Sequence, residues 1–148
     1  MRLTIHSDHA FRVLIYLGLN PEKDCTVQQI ADAYGISKNH LTRIVQRLGQ
    51  GGFIETLRGR TGGVRLAREP HEINLGKVVR VTEENLNLVE CFDQEHNTCI
   101  IAGPCRLTKI LGSALEAYFS VLDQHTLADI LHARAPQLMR LLKSAARA

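Results

Sequence analysis

The sequence predicts a mainly α-helical protein, a winged helix-turn-helix with a long C-terminal dimerisation helix. Three observations carry that expectation. Two short amphipathic segments flank a turn at Gly35 and Ile36. A basic, glycine-rich hairpin follows them at once. Beyond Pro104, one apolar stripe then continues over about four helical turns.

The elements follow in order. Ala10, Val13, Leu14 and Leu17 recur at the i, i+3, i+4, i+7 spacing of a buried helix face, with Ser7 as the expected N-cap and Gly18 near the end. A second, short helix runs from Val27 to Tyr34. Thr26 caps it, Ile30 and Ala31 face inward, and Gly35 stops it. Ser37 caps a third helix, from Lys38 to Gln50, that buries Leu41, Ile44, Val45 and Leu48. Two short helices joined by a glycine-containing turn form a helix-turn-helix. After Gly51 and Gly52 the period changes to two. Residues 53–57 and 64–66 alternate as strands around the tip Arg58-Gly59-Arg60-Thr61-Gly62-Gly63.

Pro70 breaks the chain, and residues 73–82 read as a linking helix carrying Ile73, Leu75, Val78 and Val79. Residues 83–104 form an irregular acidic loop. Pro104 suits a helix start, and Leu107, Ile110, Leu111, Ala114, Leu115, Tyr118 and Leu122 line one face beyond it. A small winged domain offers that stripe little to pack against, so it reads as a dimer interface. Residues 126–132 are a further short helix, and Pro136 restarts another. The expected division is 1–68 for DNA binding, 69–104 for the linking helix and cysteine loop, and 105–148 for dimerisation and the tail.

Of the 148 residues, 45% are hydrophobic and 22% charged, an ordinary balance for a globular chain. No apolar run approaches the ~20 residues that span a bilayer, and residues 1–9 lack a signal-peptide core. The expectation is a cytoplasmic protein with reduced thiols, which weighs against two disulfides among its four cysteines. The net charge of +3 is unevenly spread. Residues 1–68 hold ten Lys/Arg against five Asp/Glu, and residues 69–148 hold eight against ten. Within 37–68, Glu55 alone opposes seven basic residues. A basic half implies an anionic partner.

The third helix specifies that partner. At about 100° per residue, Asn39, Arg43, Gln46 and Gln50 fall opposite Leu41, with Thr42 and Arg47 at the flanks. Arg forks onto guanine, and Asn or Gln onto adenine. A merely solvated face would carry Glu and Lys pairs, yet no acid lies between Lys38 and Gln50. The expected DNA-contacting residues are Ser37, Lys38, Asn39, Thr42, Arg43 and Gln46, with Arg58 and Arg60 on the wing. Gln28 and Gln29 are candidates for backbone phosphates.

Three cysteines crowd into fifteen residues: Cys91, Cys99 and Cys105. Thiolates at short spacing suit a soft metal or a cluster. Their C-x7-C-x5-C spacing lacks the C-x2-C knuckle of structural zinc and the ferredoxin run, and a long irregular loop suits a larger object. On spacing alone a cluster, zinc and redox-active thiols all remain open. Cys25, in the turn between the first two helices, reads as a packing residue. Local candidates for a fourth ligand are Glu90, Asp93, Glu95 and His96; remote ones are His6, Asp8 and His9.

Several stretches resemble one family. They are Ile36-Ser37-Lys38-Asn39-His40-Leu41, Ile44-Val45-Gln46-Arg47-Leu48 and Arg58-Gly59-Arg60-Thr61-Gly62-Gly63-Val64-Arg65-Leu66. They are similar to the NsrR/IscR family of winged-helix iron–sulfur transcription regulators, from Met1 to about Leu131, and most so to its nitric-oxide-sensing NsrR branch. The resemblance implies a homodimer, not an enzyme, that binds operator DNA and represses. It implies a [4Fe–4S] cluster, or alternatively [2Fe–2S], held by Cys91, Cys99 and Cys105 of one subunit and by Asp8 of the partner subunit. Nitric oxide acting on the cluster would release DNA. Two departures stand out. The first cysteine gap is longer than the family's usual one. Thr108 stands where the IscR branch has a histidine, which argues against an IscR-like [2Fe–2S] site. A regulator sensing iron or redox status is the near alternative. A small iron–sulfur electron carrier or redox protein is the alternative of a different class, and it leaves the Asn39, Arg43 and Gln46 face unexplained.

Overall fold

The computed structural model describes residues 3–57, 62–132 and 134–145, and among them forms seven α-helices and one two-stranded hairpin. Helix α1 spans Ile5–Gly18, and its cap is Thr4 rather than Ser7. The Thr4 hydroxyl accepts from the Ser7 N–H, while the Ser7 side chain is turned inward to Thr82 (2.7 Å) and the Glu83 carboxylate. A burial task thus takes Ser7 out of the capping position that its residue type favours. Helix α2 (Val27–Tyr34) begins with a reciprocal capping box between Thr26 and Gln29 and ends at Gly35, whose φ of 63° is the left-handed conformation that glycine adopts without strain. Helix α3 (Lys38–Gln50) is capped by Ser37. Both boundaries agree with the sequence expectation because caps and stops are local signals.

The hairpin pairs β1 (Ile54–Leu57) with β2 (Gly63–Leu66), with Glu55 opposite Arg65 in a 2.5 Å ion pair. On its other side Val64 exchanges backbone hydrogen bonds with Cys25. That pairing locks the base of the wing to the turn between α1 and α2. Cys25 is buried there, as a packing residue would be.

Helix α4 covers Leu75–Thr82, two residues shorter at its start than the sequence suggests. Asn74 caps it, and Ile73 is fully buried with its carbonyl accepting from Leu127. Helix α5 (Arg106–Asp123) follows the cysteine loop. Helices α6 (Leu127–His132) and α7 (Ala135–Ala145) then turn back. Leu127 and Leu131 enter the same core as Leu14, Leu17, Ile30, Leu41, Ile44 and Leu48, while Leu138, Met139 and Leu142 of α7 pack on its edge. Gly18 gives α6 room: a Cβ there would lie 2.5 Å from Leu131 Cδ1.

The C-terminal end of helix α5 is fastened to α4 and to its cap, where the Asn74 side chain donates to the Asp123 carbonyl at 2.7 Å. Arg80 forks onto Asp123 (2.6 and 2.8 Å) and stacks over the Phe119 ring. Phe119 is the buried residue of α5, and it lies outside the stripe predicted from sequence. Leu107 and Ile110 of that stripe are more than half exposed. The stripe is therefore real as a pattern, but its N-terminal part is left uncovered by its own chain.

Candidate nucleic-acid interface and thiol site

Leu41, Ile44, Val45 and Leu48 anchor α3 in the core, and its opposite face is presented outward. Lys38, Asn39, Thr42, Arg43, Gln46, Arg47 and Gln50 are all exposed. The helix carries no acid, so its outer surface offers donors, amides and positive charge together. Ser37 caps α3 through its side chain. The Thr42 hydroxyl donates to the Lys38 carbonyl. Arg47 donates from Nε to the Val81 carbonyl at 2.7 Å, tying α3 to the end of α4. Arg43, Gln46 and Asn39 on the same exposed face offer a guanidinium and two amides, groups able to fork onto base edges. In α2, Gln28 bonds Asp32, and Gln29 is used in the capping box. Arg58 and Arg60, expected on the wing tip, lie outside the described residues.

The cysteine loop opens where α4 ends. Cys91 lies in a single 3-10 turn, Glu90–Phe92. Cys105 is the N-cap residue of α5. Cys91 and Cys105 are half-buried and Cys99 is exposed; none is in a disulfide. Thr108, in the first turn of α5, places its hydroxyl 3.2 Å from the Cys91 sulfur. The Cys105 sulfur makes no capping bond of full geometry. Even so, the N–H groups of Thr108 and Leu107 hold its thiol below the ordinary value, because they favour the thiolate. The thiolate is the form that binds metal. Glu90 is occupied with Thr98, and Asp93 with His96 at 3.1 Å.

Among the described residues no three His, Cys, Asp or Glu side chains converge as a metal site. Cys91 meets the first turn of α5, which Cys105 begins, and Cys99 is exposed in the loop between them. The donor chemistry fits iron held by thiolates: three free cysteines, two of them beside the donors of one helix N-terminus.

Asp8 is half-exposed in the first turn of α1 and pairs with Arg12 at 2.8 Å. Its neighbours His6 and His9 are packing residues. Both rings meet the His40 ring of α3 edge-on, at 4.9 and 5.0 Å between centroids. His9 Nδ1 and His40 Nε2 are buried without a hydrogen-bond partner. Burial first, then His40 and Arg12, pushes the His9 pKa down and so favours the neutral ring. On the other side of this turn, the Thr4 N–H and hydroxyl donate to Glu83 at 2.9 and 3.0 Å. The turn that carries Asp8 is thus fastened both to α3 and to the start of the cysteine loop. Sequence reasoning missed these fastenings, since residues 4 and 83 share no local pattern.

Comparison with known proteins places the chain in a family. Residues 3–133 match the Rrf2 family, described as an iron-dependent transcriptional regulator. The chain is 53% identical over 132 residues to the HTH-type transcriptional regulator NsrR of Shouchella clausii, covering 88% of this chain and 89% of that one. It is 48% identical over 144 residues to the NsrR of Bacillus subtilis, covering 97% and 98%. Among solved structures, T. potens IscR superposes with a TM-score of 0.70 at 25% identity, covering 89% of this chain and 87% of that one. The B. subtilis cysteine regulator CymR shares the fold, with a TM-score of 0.66 at 24% identity over 88% and 95% of the two chains.

Proposed function

The chain belongs to the Rrf2 family of iron-dependent transcriptional regulators, and from that premise we propose that it is a homodimeric, cytoplasmic repressor that releases its operator in response to nitric oxide. The observation that carries the reading is the outer face of α3: Asn39, Arg43 and Gln46 exposed on a helix whose opposite face is fully anchored. The functional parts are residues 1–68 as DNA reader, 69–104 as sensor loop, and 105–148 as dimerisation helix and tail. The exposed Leu107 and Ile110 of α5 support an interface there. Ser37, Lys38 and Thr42 supply backbone contacts beside the base-reading trio, and Arg58 and Arg60 are the residue type suited to a narrow minor groove.

Cys91, Cys99 and Cys105 would hold a [4Fe–4S] cluster, with Asp8 of the partner subunit as the fourth ligand. When bound, the cluster supplies iron reactive toward nitric oxide. The protein's part is mechanical. A carboxylate is a harder and weaker partner for iron than a thiolate, so Asp8 would be the weakest of the four links. Its helix turn is fastened to α3 through the three histidine rings. Loss of the link would therefore shift a reading head relative to its twin, and paired half-sites tolerate little change in spacing.

The test is an anaerobic operator titration of reconstituted protein with and without nitric oxide. Tight binding that nitric oxide weakens by about 5–150-fold, the range of ordinary allosteric coupling, is the expected result. Binding that responds to iron withdrawal but not to nitric oxide would instead identify an iron sensor. A companion prediction concerns α3. Arg43→Ala or Gln46→Ala should relax preference among operator variants by about 1–3 kcal/mol per lost base contact while leaving iron content unchanged. Unaltered preference in both variants would remove α3 as the reading helix.

A further inference from the structure

Thr108 joins two cysteines that are far apart in the sequence. Cys91 comes from the short turn Glu90–Phe92, and Cys105 caps α5 three residues before Thr108. The Thr108 hydroxyl lies 3.2 Å from the Cys91 sulfur, on the first turn of the helix that Cys105 begins. A hydroxyl has one proton to give and two lone pairs. A thiolate has none to give, so toward an ionised cysteine the Thr108 O–H is the donor. The hydroxyl is the group of Thr108 that meets Cys91. A helix terminus thereby reaches a residue that no local signal attaches to it.

We propose that Thr108 is a positioning residue of the thiolate site, its hydroxyl holding Cys91 against the N-terminus of α5 so that Cys91 and Cys105 form a preassembled pair onto which Cys99 closes. The inference rests on the assignment of the three cysteines as metal ligands. It adds a residue that touches the Cys91 sulfur without being a ligand itself. Partners that orient ligands in this way typically change metal affinity by about 10–100-fold when removed.

The experiment uses the full chain carrying Thr108→Val, Thr108→Ala or Thr108→Ser. Anaerobic apo-protein is titrated with Co²⁺, read by its thiolate-to-metal absorption. Reconstituted protein is then mixed with an iron chelator and followed by loss of visible absorbance. Thr108→Val and Thr108→Ala should each weaken Co²⁺ binding and speed iron loss by about tenfold, with helicity unchanged. Thr108→Ser, which keeps the hydroxyl, should match the parent in both readouts. Two outcomes overturn the proposal: Val and Ala variants that behave as the parent, or a Ser variant that fails as they do. A parent chain that takes up neither Co²⁺ nor iron would overturn the thiolate-site assignment itself, which distinguishes that failure from a dispensable hydroxyl.

Discussion

Cys105→Ala is expected to abolish a stable cluster and to leave the protein folded. Cys105 caps α5 but makes no full capping bond through its sulfur, so the helix loses little when the thiol goes. The site loses much more: one of three thiolates, and the one whose ionised form the helix N-terminus favours. Iron and acid-labile sulfide should fall to background, and operator affinity to that of the apo-protein, about 5–150-fold below the loaded form. Cys91→Ala and Cys99→Ala should do the same. Cys25→Ala is the internal control. Its side chain is buried behind the wing, so its loss should cost a modest amount of stability and no iron. A Cys105→Ala protein that retains full iron and sulfide would remove this cysteine from the ligand set.

What sequence alone could and could not reveal follows from the range of each interaction. Helices α2 and α3 were legible to the residue, because a capping box, a serine cap and a left-handed glycine all lie within four positions of the boundary they set. The start of α1 is not set by such a local signal. Thr4 and Ser7 are both good caps, and the choice between them is made by Thr82 and Glu83, more than 70 residues away. The stripe on α5 was legible as a period, but its partner was not. Arg80 and Asp123 turn Phe119 inward, which no count along α5 could reveal. The return of α6 and α7 to the core is equally non-local. For the site, residue types pointed to soft metal chemistry. The meeting of Cys91 with Thr108 across a loop, and of three histidine rings between α1 and α3, required the fold.

Asp8→Ala should lower operator affinity far more than its local bonds can explain. Within one chain Asp8 makes a half-exposed i,i+4 pair with Arg12 and sits in the first turn of α1. Such a pair contributes about 0.2–0.5 kcal/mol, and a first-turn carboxylate about 0.3–1 kcal/mol. Neither touches the outer face of α3. If Asp8 also closes the partner's cluster, the same substitution removes the bond that fixes one reading head to the other subunit's sensor, a coupling of about 1–3 kcal/mol. The loaded variant should then lose iron faster, show an altered visible spectrum, and bind operator about 5–150-fold more weakly. The apo forms of variant and parent should bind alike. Arg12→Ala separates the two accounts: it breaks the local pair and leaves the carboxylate in place. A link through the cluster predicts that Arg12→Ala keeps operator affinity and spectrum. A purely local role predicts that it reproduces Asp8→Ala. Should Asp8→Ala match the parent in spectrum, iron loss and operator affinity, the cross-subunit link is absent, and the signal must pass through α5 and its Arg80–Asp123 attachment instead.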